Sequence, residues 1–495
     1  MSHFLLSLSP IFICIIVIFI FKKSVIISAL IAILYTIILA SVNSLYSMSY
    51  MHSLNALAAS FILTLTVALV IIPGLYFNNI LVKIGNLENI VTLIEKLPFK
   101  NDQKTLILIL GTLPAIESFT GFGISLLIGI PIFFRLFETK TAFYLAMLSL
   151  NIIPWGTLAV STIISSNLTG YNIHAIGKET ALVSFFIFPL IGLISLYVIN
   201  GISLLKEKWH LAITHGFLFS FLLLVFNHFK LTEIAGVLAG ICTSIITFLF
   251  YYNFSPYKNA INKIILNLLR TLLPYFLLLM FILILRIPNL NNFLQNLYKI
   301  QWQNISLSPL ISPGMAILLV SVIFLSFNKI KLDHKILGSK IKVALSSLFL
   351  FILLARLMYE FHFIKNISET LITWNGKFLM VLLAPLIGMG SGFITGSNVG
   401  GNALAMNLQQ KIGESLEHGL LFAAVQNSAA GHIIFTSLPI IILIITISKD
   451  FTAKNFNLDK NILTKDLLNF GLKISLLIYI SLLITTITLF YLNIS

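Results

Sequence analysis

Apolar runs of about twenty residues recur from one end of this chain to the other, and no other feature limits its fold so strongly. They fall at about 5–21, 24–42, 54–75, 105–134, 142–165, 180–199, 209–227, 232–252, 265–286, 308–327, 343–359, 378–410, 418–447 and 471–491. Most have the length a helix needs to cross roughly 30 Å of hydrocarbon. Only 9% of the 495 residues are charged and 58% are hydrophobic, so a water-soluble fold has too little polar surface to cover its core. The chain reads as an all-α polytopic membrane protein. Its net charge of +15 sits mostly in short loops, where it fixes topology and calls for no nucleic-acid partner. Cys14 and Cys242 lie inside apolar runs and form no metal or redox pattern. The first run lacks a basic flank and a cleavage site and reads as a retained helix. No hydrophilic segment is long enough for a nucleotide-binding or catalytic domain, and no Gly-rich phosphate loop occurs.

The charges discriminate between topologies. If every run crosses once, the 31 Lys and Arg residues divide 18 to 13 between the two sides. If 105–134 and 378–410 each dip in and return, the division becomes 23 inside to 8 outside, as the positive-inside tendency requires. Those two runs are too long for one crossing and are interrupted by glycine, proline and small polar residues. The sequence thus predicts about twelve transmembrane helices, two re-entrant hairpins entering from opposite sides, and both termini outside. Three segments follow. Residues 1–200 form a first half with hairpin 105–134 and broken helix 142–165. Residues 201–340 form central helices, and 341–495 a second half with hairpin 378–410 and broken helix 418–447.

The two hairpin regions can be superposed. Phe119-Thr120-Gly121-Phe122-Gly123 leads to Asn151, and Ile394-Thr395-Gly396-Ser397-Asn398 leads to Asn427. With opposite directions of insertion, this is the inverted-repeat plan of secondary transporters, in which broken helices surround a site at the bilayer midplane. Non-helical backbone at that depth is tolerated only where it is buried in protein or lines a watery cavity. A half-helix N-terminus there can hold an anion without a fixed arginine.

Glu117 is the sharpest candidate, an acidic residue at hairpin depth. It either takes up and releases a coupling proton or ties the tip together through hydrogen bonds. Ser118, Thr120, Gly121 and Gly123 make the first tip, a cradle of hydroxyl and backbone groups or simply a sharp turn. Thr395, Gly396, Ser397 and Asn398 make the second and are candidate substrate or ion ligands. Asn402 either joins them or pins a hairpin arm to the bundle. Asn151 and Trp155 interrupt one crossing helix, and Gln426, Asn427, Gly431 and His432 the other. His432 can relay a proton or serve as a satisfied core residue.

These residues resemble the bacterial L-lactate permease family. The resemblance is carried by Glu117 followed by Gly121-Phe122-Gly123, by Thr395-Gly396-Ser397-Asn398 leading to Asn402-Ala403-Leu404, and by Ala423-Ala424 with Gln426-Asn427 and Gly431. The sequence departs from the family at two places, with Asn398 where an aspartate is usual and His432 where a lysine is usual. An acid and a base are thus absent together. The resemblance implies proton-coupled uptake of L-lactate, glycolate or a related 2-hydroxy monocarboxylate across the bacterial inner membrane, with no cofactor or metal. A sodium-coupled carrier of the same architecture, with hairpin carbonyls and Asn398 as ligands, is the close alternative; a non-transporting sensor is a further one.

Overall fold

The computed structural model describes residues 2–121, 123–150, 154–253, 258–373, 376–449, 451 and 460–492. Nearly all of them are helical. The chain opens with α1 (Ser2–Phe19), α2 (Val25–Val42) and the long α3 (Tyr50–Lys83), followed by the short amphipathic α4 (Asn86–Glu95). Ser24 and Ser49 start α2 and α3 by accepting amide hydrogens from Ile27 and His52, which fixes where each apolar run becomes helix.

The first hairpin rises through α5 (Asn101–Ile107), a π-helical turn (Leu108–Thr112) and α6 (Leu113–Thr120), and returns as α7 (Ile124–Leu136). The broken helix after it is α8 (Thr139–Ser149) and α9 (Val160–Thr169), with a 3-10 turn (Thr157–Ala159) just before α9. Then come α10 (Ile173–Val183), α11 (Ile187–His228), α12 (Thr232–Asn253), α13 (Lys258–Thr271), α14 (Leu273–Leu285) and α15 (Pro288–Leu297). A small antiparallel pair, β1 (Ile300–Trp302) and β2 (Ile305–Leu307), sets Ile300 opposite Leu307.

The chain continues through α16 (Pro313–Asn328), α17 (His334–Glu360) and amphipathic α18 (Phe363–Thr373). The second hairpin is α19 (Lys377–Thr395) and α20 (Asn398–Ser415). Its broken helix is α21 (Gly419–His432) and α22 (Leu438–Ser448), and α23 (Lys460–Leu492) closes the chain.

Among the described residues, seven helices are long and apolar enough to cross a membrane, or nine if two bent pairs each count as one crossing. Those pairs are α13 with α14, bent by 50°, and α21 with α22, bent by 43°. The twelve crossings expected from the sequence exceed this count for two physical reasons. Some of the expected crossings are helices too short to meet that length, His3–Ile18 and Pro313–Asn328 among them. The run at 180–199, from Ile187 onward, and the run at 209–227 fall in one helix, α11, kinked where Asn200 and Gly201 leave helical geometry. Leu34, Phe61, Phe221 and Ile484 stand on the outer surface, each more than half exposed. Such a surface belongs in hydrocarbon.

The interior is held by close backbone approach. The arms α19 and α20 pack on each other and on α21. A Cβ added at Gly392 would lie 2.3 Å from the Ala430 carbonyl oxygen, so only glycine lets these helices sit so near, as small residues commonly do inside membranes. Likewise α12 lies against α6, with Gly240 touching the Gly111 carbonyl and Ala115.

The two ends of the molecule are distinct. At one, Lys83 donates to the Lys331 carbonyl. At the other, Trp302 donates to Asn55 at 3.2 Å, and Gln410 of α20 donates to the Thr169 carbonyl at 2.9 Å.

Candidate functional site

Both hairpin tips and both helix breaks face a single cavity of about 1120 Å3. Glu117 and Gly123 line it from the first tip, and Gly156, Thr157 and Ser161 from the first break. Thr395, Gly396, Ser397 and Asn398 line it from the second tip, and Ile434, Leu438 and Pro439 from the second break. The cavity extends to Lys22, Lys23 and Ser24 in the turn between α1 and α2, which are exposed. It therefore reaches the surface at the end of the molecule that those lysines mark.

The two tips differ in their chemistry. At the first, Glu117 Oε1 accepts from the Gly123 amide at 2.9 Å, and Oε2 accepts from the Ser125 amide at 3.1 Å and its hydroxyl at 2.7 Å. All three donors belong to the start of α7, so the carboxyl group caps that helix and occupies its anion-binding end. Gly121 makes the turn with φ 65° and ψ −166°, and a Cβ there would overlap the Thr157 hydroxyl. The tip is thereby locked to the break in the next helix. That break carries two non-glycine residues in the left-handed region, Leu158 (φ 46°) and Ala159 (φ 56°), a strained backbone of the kind found at functional sites.

At the second tip no acidic group intervenes. Ser397 caps α20 by accepting from the Gly400 amide at 3.4 Å, and Asn398, Val399 and Gly400 present the first turn of this 18-residue helix to the cavity. A helix start capped only by a neutral serine, at the wall of a cavity, suits an anion. Lys22 and Lys23 at the mouth carry the same sign.

Behind this tip lies a cluster of amides and hydroxyls. Asn402 Nδ2 donates to Asn427 Oδ1 at 2.7 Å, to Ser165 Oγ at 3.0 Å and to the Ser161 carbonyl at 3.3 Å. Asn398 Nδ2 donates to the Pro154 carbonyl and, at 3.5 Å, to the same Asn427 oxygen. Asn427 Nδ2 donates to Thr162 and Thr180 hydroxyls at 3.1 and 3.2 Å. One residue, Asn427, thus joins the second hairpin to α9 and α10. Gln426 Nε2 donates to Ser391 and to the Gly401 carbonyl, clamping α21 onto both hairpin arms. Asn398 Oδ1, Asn402 Oδ1 and Ser161 Oγ have no hydrogen-bond partner although buried, and are acceptors that a ligand, ion or water can complete.

Other candidates stand elsewhere. The Ser118 hydroxyl lies against Gly236 of α12, and Thr120 donates to its own helix at Ile116; neither is on the cavity wall. Thr395 lines the cavity while its hydroxyl bonds the Ser391 and Ser397 carbonyls. Trp155 is buried with its Nε1 unpartnered. Gly431 is buried inside α21. His432 sits 3.2 Å from Ser184 and edge-on to Phe188, packed against the start of α11 and not beside Glu117. Asn151 lies outside the described residues. Sequence reasoning missed Ser161, Thr162, Ser165 and Thr180, whose backbone or hydroxyl groups meet Asn402 and Asn427 on distant segments, and the buried acid Glu179. Among the described residues, no three His, Cys, Asp or Glu side chains are grouped to hold a metal ion.

The cavity is enclosed by the hairpin tips and broken helices and open to one surface. The family described as L-lactate permease matches residues 3–309 and 303–487. No curated protein matches the chain. The match spans almost the whole sequence and includes every element around the cavity, so the chain belongs to the L-lactate permease family and is a secondary transporter for a small organic anion, not an enzyme.

Proposed function

We propose that the protein couples inward movement of protons to uptake of L-lactate or a related 2-hydroxy monocarboxylate such as glycolate. The carrying observation is the difference between the tips. The α20 N-terminus carries no acidic cap and can take a carboxylate at the Asn398 and Val399 amides, whereas the α7 N-terminus is filled by Glu117. In this reading the substrate carboxylate meets the α20 amides, and its hydroxyl donates to the unpartnered oxygens of Asn398 or Ser161. A proton taken by Glu117 removes the charge that α7's donors face, loosening the first tip when substrate and proton are both bound.

The architecture supports alternating access. Each half carries, in the same order, a long helix (α3, α17), an amphipathic helix (α4, α18), a hairpin and a broken helix. We read these as inverted repeats lying in residues 1–200 and 341–495, joined by the central helices of 201–340, with twelve crossings and two re-entrant hairpins. Both termini would face outward in a bacterial inner membrane, and the cavity would then open inward, where Lys22 and Lys23 lie. One assembly rocking against the other carries the site across.

Sodium coupling is a second reading, favoured by the unpartnered acceptors Asn398 Oδ1, Asn402 Oδ1 and Ser161 Oγ. Uptake of labelled L-lactate into right-side-out vesicles, with proton and sodium gradients imposed separately, decides between them. The proton reading expects saturable uptake driven by the proton gradient alone and lost in Glu117→Gln. Uptake driven by sodium alone would replace it with the second reading.

A further inference from the structure

Glu179 is a buried carboxyl group that the site described above does not use. It lies within α10, 4% exposed, and its Oε1 has no hydrogen-bond partner. No ion pair reaches it among the described residues; Lys178, its exposed chain neighbour, is the charged group that acts on it. The helix packs against α9, α11, α12, α21 and α23. The titratable groups at this end of those elements and of α10 have other contacts: His174 with Thr232, Glu233 with Arg286, His228 with Phe229, His432 with Ser184, and His418 and Tyr491 with Phe490. Lys230 in the α11–α12 turn is exposed, and α9 carries no titratable side chain.

The neighbour of Glu179 ties it to the site. Thr180 accepts from Asn427, the residue that also receives Asn398 and Asn402. The α10 helix begins just after the Thr169 end of α9, where Gln410 and Glu414 of the second hairpin are bound by the Thr169 carbonyl and the Tyr171 hydroxyl. That is the end of the molecule opposite the Lys22 and Lys23 mouth of the cavity. An ionised carboxylate so placed, with Oε1 buried without a donor and only the exposed Lys178 to favour its charge, is disfavoured. The conformation described here therefore goes with a neutral Glu179. A charged Glu179 goes with one in which water from the opposite end reaches α10.

We propose that Glu179 is a proton-binding residue of the transport cycle. Its carboxylate takes a proton from outside water, and the neutral acid lets α10 close on Asn427 while the cavity opens inward. This rests on the proton-coupled reading above and assigns the step that links the outer side to it; Glu179 acts through Thr180 and Asn427 and is a coupling residue, not a substrate ligand.

The test is labelled L-lactate transport in proteoliposomes by wild type, Glu179→Gln and Glu179→Asp. Accumulation under an inward proton gradient is measured beside equilibrium exchange across a pH series. The expected result for Glu179→Gln is loss of gradient-driven accumulation together with exchange that no longer varies with pH. Glu179→Asp is expected to keep both, with the pH midpoint of exchange displaced. Wild-type accumulation indifferent to the proton gradient brings down the proton reading and this inference with it. Proton-driven wild type with an unaltered Glu179→Gln overturns this inference alone, as does a folded variant that has lost exchange outright. If Glu179→Gln does not fold, an Asp variant with an unchanged pH profile overturns it.

Discussion

Asn427 shows how much a single side chain carries here. Its oxygen receives both asparagines of the second hairpin, and its nitrogen binds hydroxyls on α9 and α10. Replacing it with leucine leaves several buried polar groups unpaired, each costing about 1–3 kcal/mol. Asn427→Leu should lower the unfolding temperature in detergent and abolish lactate uptake, and Asn427→Ala should do the same less severely. An unchanged unfolding temperature would show the cluster to be wetter than drawn. Gly121 makes a comparable claim. Its backbone region is nearly closed to other residues, so Gly121→Ala should cost about 1–3 kcal/mol from strain alone. Removing the Thr157 side chain, which occupies the Cβ position, should restore only part of the loss, as read by thermal unfolding of the double variant.

At the scale of elements, the hairpins were legible because their apolar runs are too long for one crossing and are broken by glycines at the turn. The helix breaks at Pro154 and after Gly431 were legible from the proline, glycine and polar side chains that interrupt their apolar runs. What sequence could not show is which hydroxyls answer which amides. Ser161, Ser165, Thr162 and Thr180 look like ordinary small residues of apolar helices, and only packing of α9, α10 and α20 around α21 gives them partners. Glu179 was hidden because α10 has too few apolar residues to stand out from a loop. Ser118 and Thr120 fit the tip by position, but the helical turn of α6 points one at α12 and the other at its own backbone.

The glycine seams make an element-scale prediction. Gly392→Val pushes the second hairpin off α21, since even a Cβ meets the Ala430 oxygen; overpacking of this kind costs about 1–3 kcal/mol. Gly390→Ala, where nothing lies within 4 Å, should leave stability unchanged or raise it by about 0.5–1 kcal/mol. Equal losses in both, by thermal unfolding and uptake, would mean that the seam is not where the helices lock.

At the scale of the whole molecule, the cavity joins two hairpin tips to a surface marked by Lys22 and Lys23. Those lysines should raise the local concentration of an anion at the mouth, an effect that fades beyond a Debye length of about 8 Å at physiological salt. The double variant Lys22→Gln, Lys23→Gln should raise the KM for lactate leaving from that side and flatten its dependence on ionic strength, with little change in the maximal rate. Efflux kinetics at low and high salt check this; a KM that keeps its salt dependence would place the attracting charge elsewhere.

The central claim is that the substrate carboxylate sits at the α20 N-terminus, between the tips. With Cys14 and Cys242 replaced by alanine, Val399→Cys places one thiol on the cavity wall at that point. The measurement is its alkylation rate by a small water-soluble reagent in transport-active inside-out vesicles, with and without saturating L-lactate. The account predicts labelling slowed several-fold by lactate. Labelling at the same rate with and without lactate, in protein that still transports it, would contradict the site.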